Sequence, residues 1–357
     1  MSTFLKTITA VSLFLFLSLG EVTGQISNPT GELGIPNSSD IWAQTLEGNH
    51  FNEFWSYHFY LDEGLKVHAT FSVANFGNFK SAVSGLQLSV SNLNDDEVYQ
   101  VSREYPIDQL VQDKENHTLR LHPEKDVYFE GKLPDEHRVH IKTSKDGENY
   151  DIDLTFDNIA DGVKWDQGEF TVGDEKIGIV THIPYAEVSG HVSVNDRKKD
   201  VNGTAYMDHT YQNQTTTRLL HSGYRFVYHN GSDNWDILYF LYPSTRNSKT
   251  IGYRLVKREN KIVLQGAQGI TEMTRSKSFE KSIAQDIQLK IENSNSLTLS
   301  RSVDEEMFSV FSELNWIQRR AARAFLGGEV LDFRGEAILA EPAREPKSGN
   351  YNYFKVD

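Results

Sequence analysis

"KVHATFSV", Lys66 to Val73, sets Val67, Ala69, Phe71 and Val73 at every second position. Successive side chains of a strand point to opposite faces, so this period of two reads as a half-buried β-strand. The same alternation returns in "LQLSV" (Leu86, Leu88, Val90) and in "YDIDLTF" from Tyr150 (Ile152, Leu154, Phe156). It continues in "DILYFLY" from Asp236, "IQLKI" from Ile287 and "LTLS" from Leu297. Turn-forming clusters at Ser91–Asp96, Ser144–Asn149 and Asn195–Asp200 separate these runs. A long series of short antiparallel strands predicts an all-β fold, a barrel or a sandwich.

One segment departs from the period. Ser302 and Glu305 form an S-x-x-E capping box. Met307, Val310, Phe311, Leu314, Ile317, Ala321 and Phe325 then recur at helical spacing. Arg319, Arg320 and Arg323 fall where a helix dipole favours cations, and Gly327-Gly328 supplies a stop. The expectation is one amphipathic helix over 303–326, packed on the barrel by its apolar stripe. The strands fall into two halves of similar length that join near Val180–Ser189, compatible with two consecutive barrels. The expected organisation is a leader arm at 25–49, an N-terminal barrel at 50–187, a C-terminal barrel at 188–345 and a tail at 346–357.

Residues 1–24 read as an export signal. Lys6 gives the positive start, Ile8–Leu19 the apolar stretch and Val22-Thr23-Gly24 the small residues of a cleavage site. The apolar run is short for a membrane span, and no later segment resembles one. The protein is therefore expected to be exported, periplasmic or secreted. The chain of 357 residues has a net charge of −14 and no basic run, which argues against nucleic acid or an anionic membrane as partner. It has no cysteine, so disulfides and thiolate metal sites are excluded and stability must come from a packed core.

The stretch with most chemistry is "GTAYMDHTYQ", Gly203 to Gln212. On a strand, Tyr206, Asp208 and Thr210 share one face and Ala205, Met207 and His209 the other. If the first face lines a cavity, desolvation would raise the Asp208 pKa and leave it a proton donor beside the Tyr206 phenol. The competing reading is a strand end at which Asp and His make turn hydrogen bonds. His137 and His140, in H-x-x-H, fall on opposite strand faces and do not suggest a metal site. No phosphate loop, nucleophile elbow or H-E-x-x-H occurs, so no metal and no organic cofactor is expected. The aromatic cluster Phe51, Phe54, Trp55, Tyr57, Phe59 and Tyr60 is core by default, although inward aromatics such as Trp55 and Tyr57 also line ligand cavities in barrels.

The run Gly203-Thr204-Ala205-Tyr206-Met207-Asp208-His209 resembles the Gly-x-x-Tyr-x-Asp-His signature of the lipocalin-like proteins that include carotenoid 1,2-hydratase (hydroxyneurosporene synthase) and the AttH-like proteins. Glu53-Phe54-Trp55-Ser56-Tyr57 is a looser match to the acidic residue and Trp-Tyr that open the family's first barrel. The resemblance implies two tandem lipocalin-like antiparallel β-barrels with a ligand region at or between them. It implies Tyr206 and Asp208 as proton donor and supporter, with His209 completing the motif. His182 matches an upstream histidine of the hydratase, but the accompanying Trp is missing. Relatives hydrate isoprenoid double bonds, act as pericyclic cyclases or bind lipids, so fold alone does not give function. Three functions follow as expectations. The first is an exported protein that binds an apolar small molecule, a lipid or isoprenoid, in a barrel cavity. The second is a hydratase or isomerase that works by proton donation, and the third is a structural envelope protein with filled barrels.

Overall fold

The computed structural model describes residues 26–27, 32–77, 80–93, 97–172, 174–244, 250–292, 296–311 and 316–357. The expected signal peptide at 1–24 lies outside them. The chain forms two sheets, antiparallel apart from one short parallel edge pair, together with short helices. This is the all-β fold expected from the strand period, in the tandem lipocalin-like arrangement that the resemblance implied.

The first sheet runs in the order Val98–Pro106, Val83–Ser91, Lys66–Phe76, His50–Leu61, Arg197–Gln212, Glu175–Val194, Glu148–Asp157, His137–Lys145, Val127–Glu130 and two short strands. In the second, Thr250–Arg258 pairs with both Asn234–Pro243 and Lys261–Ser278. That extra pairing closes the strands from Leu220–His229 to Lys347–Val356 into a ring, and Ile26–Ser27 lies parallel to Thr250–Arg258 on its outside.

Alternation assigns the cores. Trp55, Tyr57, Phe59, Phe71, Phe129, Ile152 and Met207 fill the first barrel. Phe226, Phe240, Leu289, Phe333 and Tyr353 fill the second. A third apolar cluster lies between the barrels, where Tyr206, Ile177 and Ile179 of the first sheet meet Val227, Ile237, Tyr239 and Tyr253 of the second. Two cores close the barrels on themselves, and the third joins them.

Two expected boundaries move. The junction at 187/188 falls inside one unbroken strand, Glu175–Val194, and the first sheet continues to Gln212. Pro184, inside the expected join at Val180–Ser189, is absorbed by the strand in register shifts between Thr181 and Ala186, since a residue without an N–H is tolerated at a bulge. The passage between barrels is the turn ending in Thr216–Leu219. The tail is also a strand, Lys347–Val356, which seals the second barrel between Leu220–His229 and Val330–Ala340.

Among the described residues the helix covers Trp316–Leu326, and Leu314 of the expected stripe lies outside them. Ser302, Glu305 and Met307 belong to the strand Leu297–Ser309. That strand shifts register between Arg301 and Val303 and again between Asp304 and Glu306. Each bulge inserts one residue and resets the alternation, so the apolar spacing imitates a helix. The expected stop holds: Gly327 has φ 83°, and the amides of Gly327 and Gly328 both donate to the Arg323 carbonyl at 3.0 Å. Ala322 and Leu326 pack with Phe311 and Phe76, while Phe325 is exposed.

Candidate functional site

Gly203–Gln212 lies in the middle of its sheet, between His50–Leu61 and Glu175–Val194. Gly203 is required there, because a Cβ would sit 2.3 Å from the Tyr60 carbonyl oxygen. Ala205 and Met207 point into the first barrel's core, so Tyr206 and Asp208 point outward, toward the second barrel.

Register then builds a row. Tyr206 is opposite His58, His58 opposite His68, His68 opposite Ser89 and Ser89 opposite Gln100. Directly opposed residues share a face, so these polar groups cross five strands on the outside of the first barrel. The second barrel carries a matching row of Arg225, Asn352, Arg334 and Glu306, again directly opposed across four strands. The two rows meet face to face.

Asp208 is 1% exposed and Arg225 is 7% exposed. Arg225 forms an ion pair with Asp208 Oδ2 and also contacts His58 Nε2. The Tyr206 hydroxyl donates to the same Asp208 oxygen at 2.9 Å. His58 Nδ1 and His68 Nδ1 are 2.7 Å apart, and His68 Nε2 stands 3.6 Å from Glu306 Oε1. Glu306 accepts from Arg334 at 2.9 Å and from Ser89 Oγ at 3.0 Å. Beside this chain, Lys66 pairs with Glu305 and, at 3.2 Å, with Glu336.

Burial sets the protonation states. It pushes the Tyr206 phenol well above 10, helped by Asp208, so the hydroxyl keeps its proton. It lowers His58 well below 6.5, with Arg225 and His68 adding to the effect. Burial and then Arg334 bring His68 down to about 3, against the opposing pull of Glu306. Both imidazoles are neutral at pH 7. Burial also opposes the Glu306 charge, but Arg334, His68 and Ser89 outweigh it and hold the carboxyl below its usual range. Glu305 is raised by burial despite Lys66.

A guanidinium can only donate. His58 Nε2 is therefore an acceptor and its proton sits on Nδ1. That proton goes to His68 Nδ1, which leaves the His68 proton on Nε2. Arg225 thus fixes both tautomers and directs the chain toward Glu306.

A cavity opens against these rows, bordered by His58, Tyr60, His68, Arg225, Glu305 and Arg334 among others. It has room for about one water. The described barrel interiors hold the apolar cores above, and this cavity lies outside both, at the junction. Among the described residues no group of three or more His, Asp or Glu converges as a metal site.

The seven expected site residues fall in three places. Tyr206, Asp208 and Thr210 share the junction, Thr210 lying toward Tyr239. Asp208 receives donors from both Tyr206 and Arg225, so this geometry makes it an acceptor and anchor in place of the expected proton donor. His209 faces the other way. Its Nε2 is 2.7 Å from Glu53 Oε1 and its Nδ1 is 2.8 Å from the Asp40 carbonyl. Trp55 stacks on His209 at 4.6 Å and donates Nε1–H to the Ile41 carbonyl, and His182 stacks on His209 at 5.8 Å. Glu53 also accepts from the Gln44 amide and from the Thr45 amide and hydroxyl. His209, Glu53 and Trp55 therefore hold the leader arm against the barrel. Tyr57 lies in the first core, 2.9 Å from His137 Nε2.

His58, His68, Arg225, Glu305, Glu306 and Arg334 were not anticipated from sequence. The available signal was polar residues at positions whose strand neighbours alternate apolar, as in His58 and His68.

The fold is that of tandem lipocalin-like proteins. A protein described as AttH from Nitrosomonas europaea matches with a TM-score of 0.63 at 11% identity, covering 91% of this chain and 98% of that one. Kievitone hydratase from Nectria haematococca matches with a TM-score of 0.58 at 14% identity, covering 94% and 97%. CghA in complex with Sch210972 matches with a TM-score of 0.62 at 12% identity, covering 92% and 94%. At these identities the likeness is one of fold, and it agrees with the AttH-like resemblance of the Tyr206–His209 run. No family model matches the sequence, and no curated protein matches it.

Proposed function

We propose that the protein is an exported acid–base enzyme of the hydratase or isomerase type, acting on an apolar small molecule at the barrel junction. The observation that carries this is the pair of facing polar rows, with two neutral histidines and a cavity between them. Such a constellation supplies the elements of alkene hydration without a metal. Glu305, whose carboxyl burial holds above its usual range, borders the cavity and is the candidate acid. It would protonate one alkene carbon, water would add to the other, and the Glu305 carboxylate left by the first step would take back the proton that the water loses. Asp208 and Arg225 fix the histidines, and Tyr239 and Tyr253 beside them offer apolar surface. Kievitone hydratase and ligand-bound CghA share the fold, which supports a small organic substrate here.

A substrate of drug size needs a pocket of about 300–1,000 Å³. Binding therefore requires the two rows to part, as in domain closure around a ligand. The test is incorporation of ¹⁸O from labelled water into a panel of prenylated phenols and isoprenoid alkenes. Glu305→Gln is expected to lower the rate by about 10²–10⁴-fold. No incorporation from any alkene, or an unchanged rate in that variant, would sink the proposal. Export is checked by N-terminal sequencing of the secreted chain, expected to start near Gln25.

One observation favours a second reading, a structural protein whose rows simply lock two filled barrels. Asp208 and Glu306 are already paired with arginines. An inactive protein whose stability depends strongly on those pairs would fit that reading.

A further inference from the structure

Two donors border the junction cavity without an acceptor of their own. Arg334 spends its terminal nitrogens on Glu306, Ser89 and Asp332. Its Nε is buried and has no hydrogen-bond partner. The second donor is the His68 Nε2–H, placed there by the tautomer that Arg225 imposes. At 3.6 Å its nearest carboxylate oxygen, on Glu306, is beyond hydrogen-bond distance. Arg334 and His68 both line the cavity. A buried donor left unpaired costs about 1–3 kcal/mol, and Arg334 Nε is such a donor; with His68 beside it on the lining of the same water-sized space, the need is for a guest that accepts.

The charges around the space decide what kind of acceptor fits. Arg225, Arg334 and Lys66 are countered by Asp208, Glu306, Asp332 and Glu336 even with Glu305 left out as the protonated acid. Positive charge is more than matched, so the site does not select an anion. We propose that the cavity is a two-donor hole for a neutral oxygen, held by Arg334 Nε–H and His68 Nε2–H. The oxygen belongs either to water or to a carbonyl group of an organic ligand. In the second case the site polarises a conjugated carbonyl, and the substrate class narrows to alkenes conjugated to a ketone, ester or amide. That narrowing rests on the enzymatic reading above; the hole itself does not.

High-resolution crystal structures of the full chain, one unsoaked and one soaked with cyclohex-2-enone, test this. The expected result is an oxygen within hydrogen-bond distance of both nitrogens. A water in the unsoaked crystal that gives way to the enone carbonyl assigns the hole to substrate. A water that persists through the soak assigns it to solvent and leaves the hole standing. An absence of any oxygen between Arg334 Nε and His68 Nε2 in both crystals overturns the proposal, as does an oxygen bound by only one of them. The readout is an atom's position and not turnover. An occupied hole in a protein that hydrates nothing would defeat the proposed function alone, and an active enzyme with no oxygen at this position would defeat the hole alone.

Discussion

Arg225 is the residue on which the junction turns, and Arg225→Met isolates it. The substitution keeps most of the side-chain volume and removes the charge. Asp208, 1% exposed, then keeps only the Tyr206 hydroxyl. Removing one partner of a buried ion pair costs about 3–5 kcal/mol, mainly because the other charge stays buried without compensation. For a unit of this size 1 kcal/mol moves Tm by about 2–4 °C, so a drop of about 10 °C is expected. Asp208→Leu alone should cost a similar amount, since it strands Arg225. The double variant removes both charges and should recover at least about 2 kcal/mol relative to the sum of the singles. Calorimetry and urea unfolding of the four proteins give the cycle. If Arg225→Met costs less than about 1 kcal/mol, or the singles simply add, then the pair does not hold the barrels together as argued.

Acid should weaken the fold through its buried histidines. Burial brings His68 and His137 down to about 3 and His229 to about 4, from 6.5 in the unfolded chain. The unfolded chain binds protons first, so this contribution is whole above pH 6.5 and is lost as pH falls below it. Each histidine loses about 2 kcal/mol between pH 6.5 and 5, hence about 6 kcal/mol for the three. A urea midpoint that is flat across that interval contradicts the assignment. At the other end of the first barrel, Glu53→Gln should loosen the leader arm, since its carboxylate accepts from Gln44 and Thr45. Hydrogen bonds to a charged group are worth about 1.5–3 kcal/mol, so Gln44 and Thr45 amide exchange should quicken by about 10–100-fold. Exchange at the wild-type rate would show that Glu53 is not the clasp.

Period two was enough to read the chain as all-β, and alternation alone placed Tyr206, Asp208 and Thr210 on one face with His209 on the other. Both are local properties of a pleated backbone. The misread helix shows where local reading stops. The bulges beside Val303 and Glu306 change the spacing by one residue each, and only pairing with Val330–Ala340 reveals them. The same holds for the join expected near Val180–Ser189, found within a strand.

Which face looks inward is not a local property. It depends on how the sheet closes and on what covers its outside. Tertiary structure turned Tyr206 and Asp208 away from the first barrel's core and set Arg225 against them, 17 residues further along the chain. It brought His68 to Glu306, more than 200 residues away in sequence. It also fixed the proton positions, because a neutral imidazole has two tautomers and a donor-only neighbour selects one. The amino-acid sequence by itself determined the strands and the alternation of their faces. The register between strands, and the docking of one barrel on the other, decided which of those residues form a site.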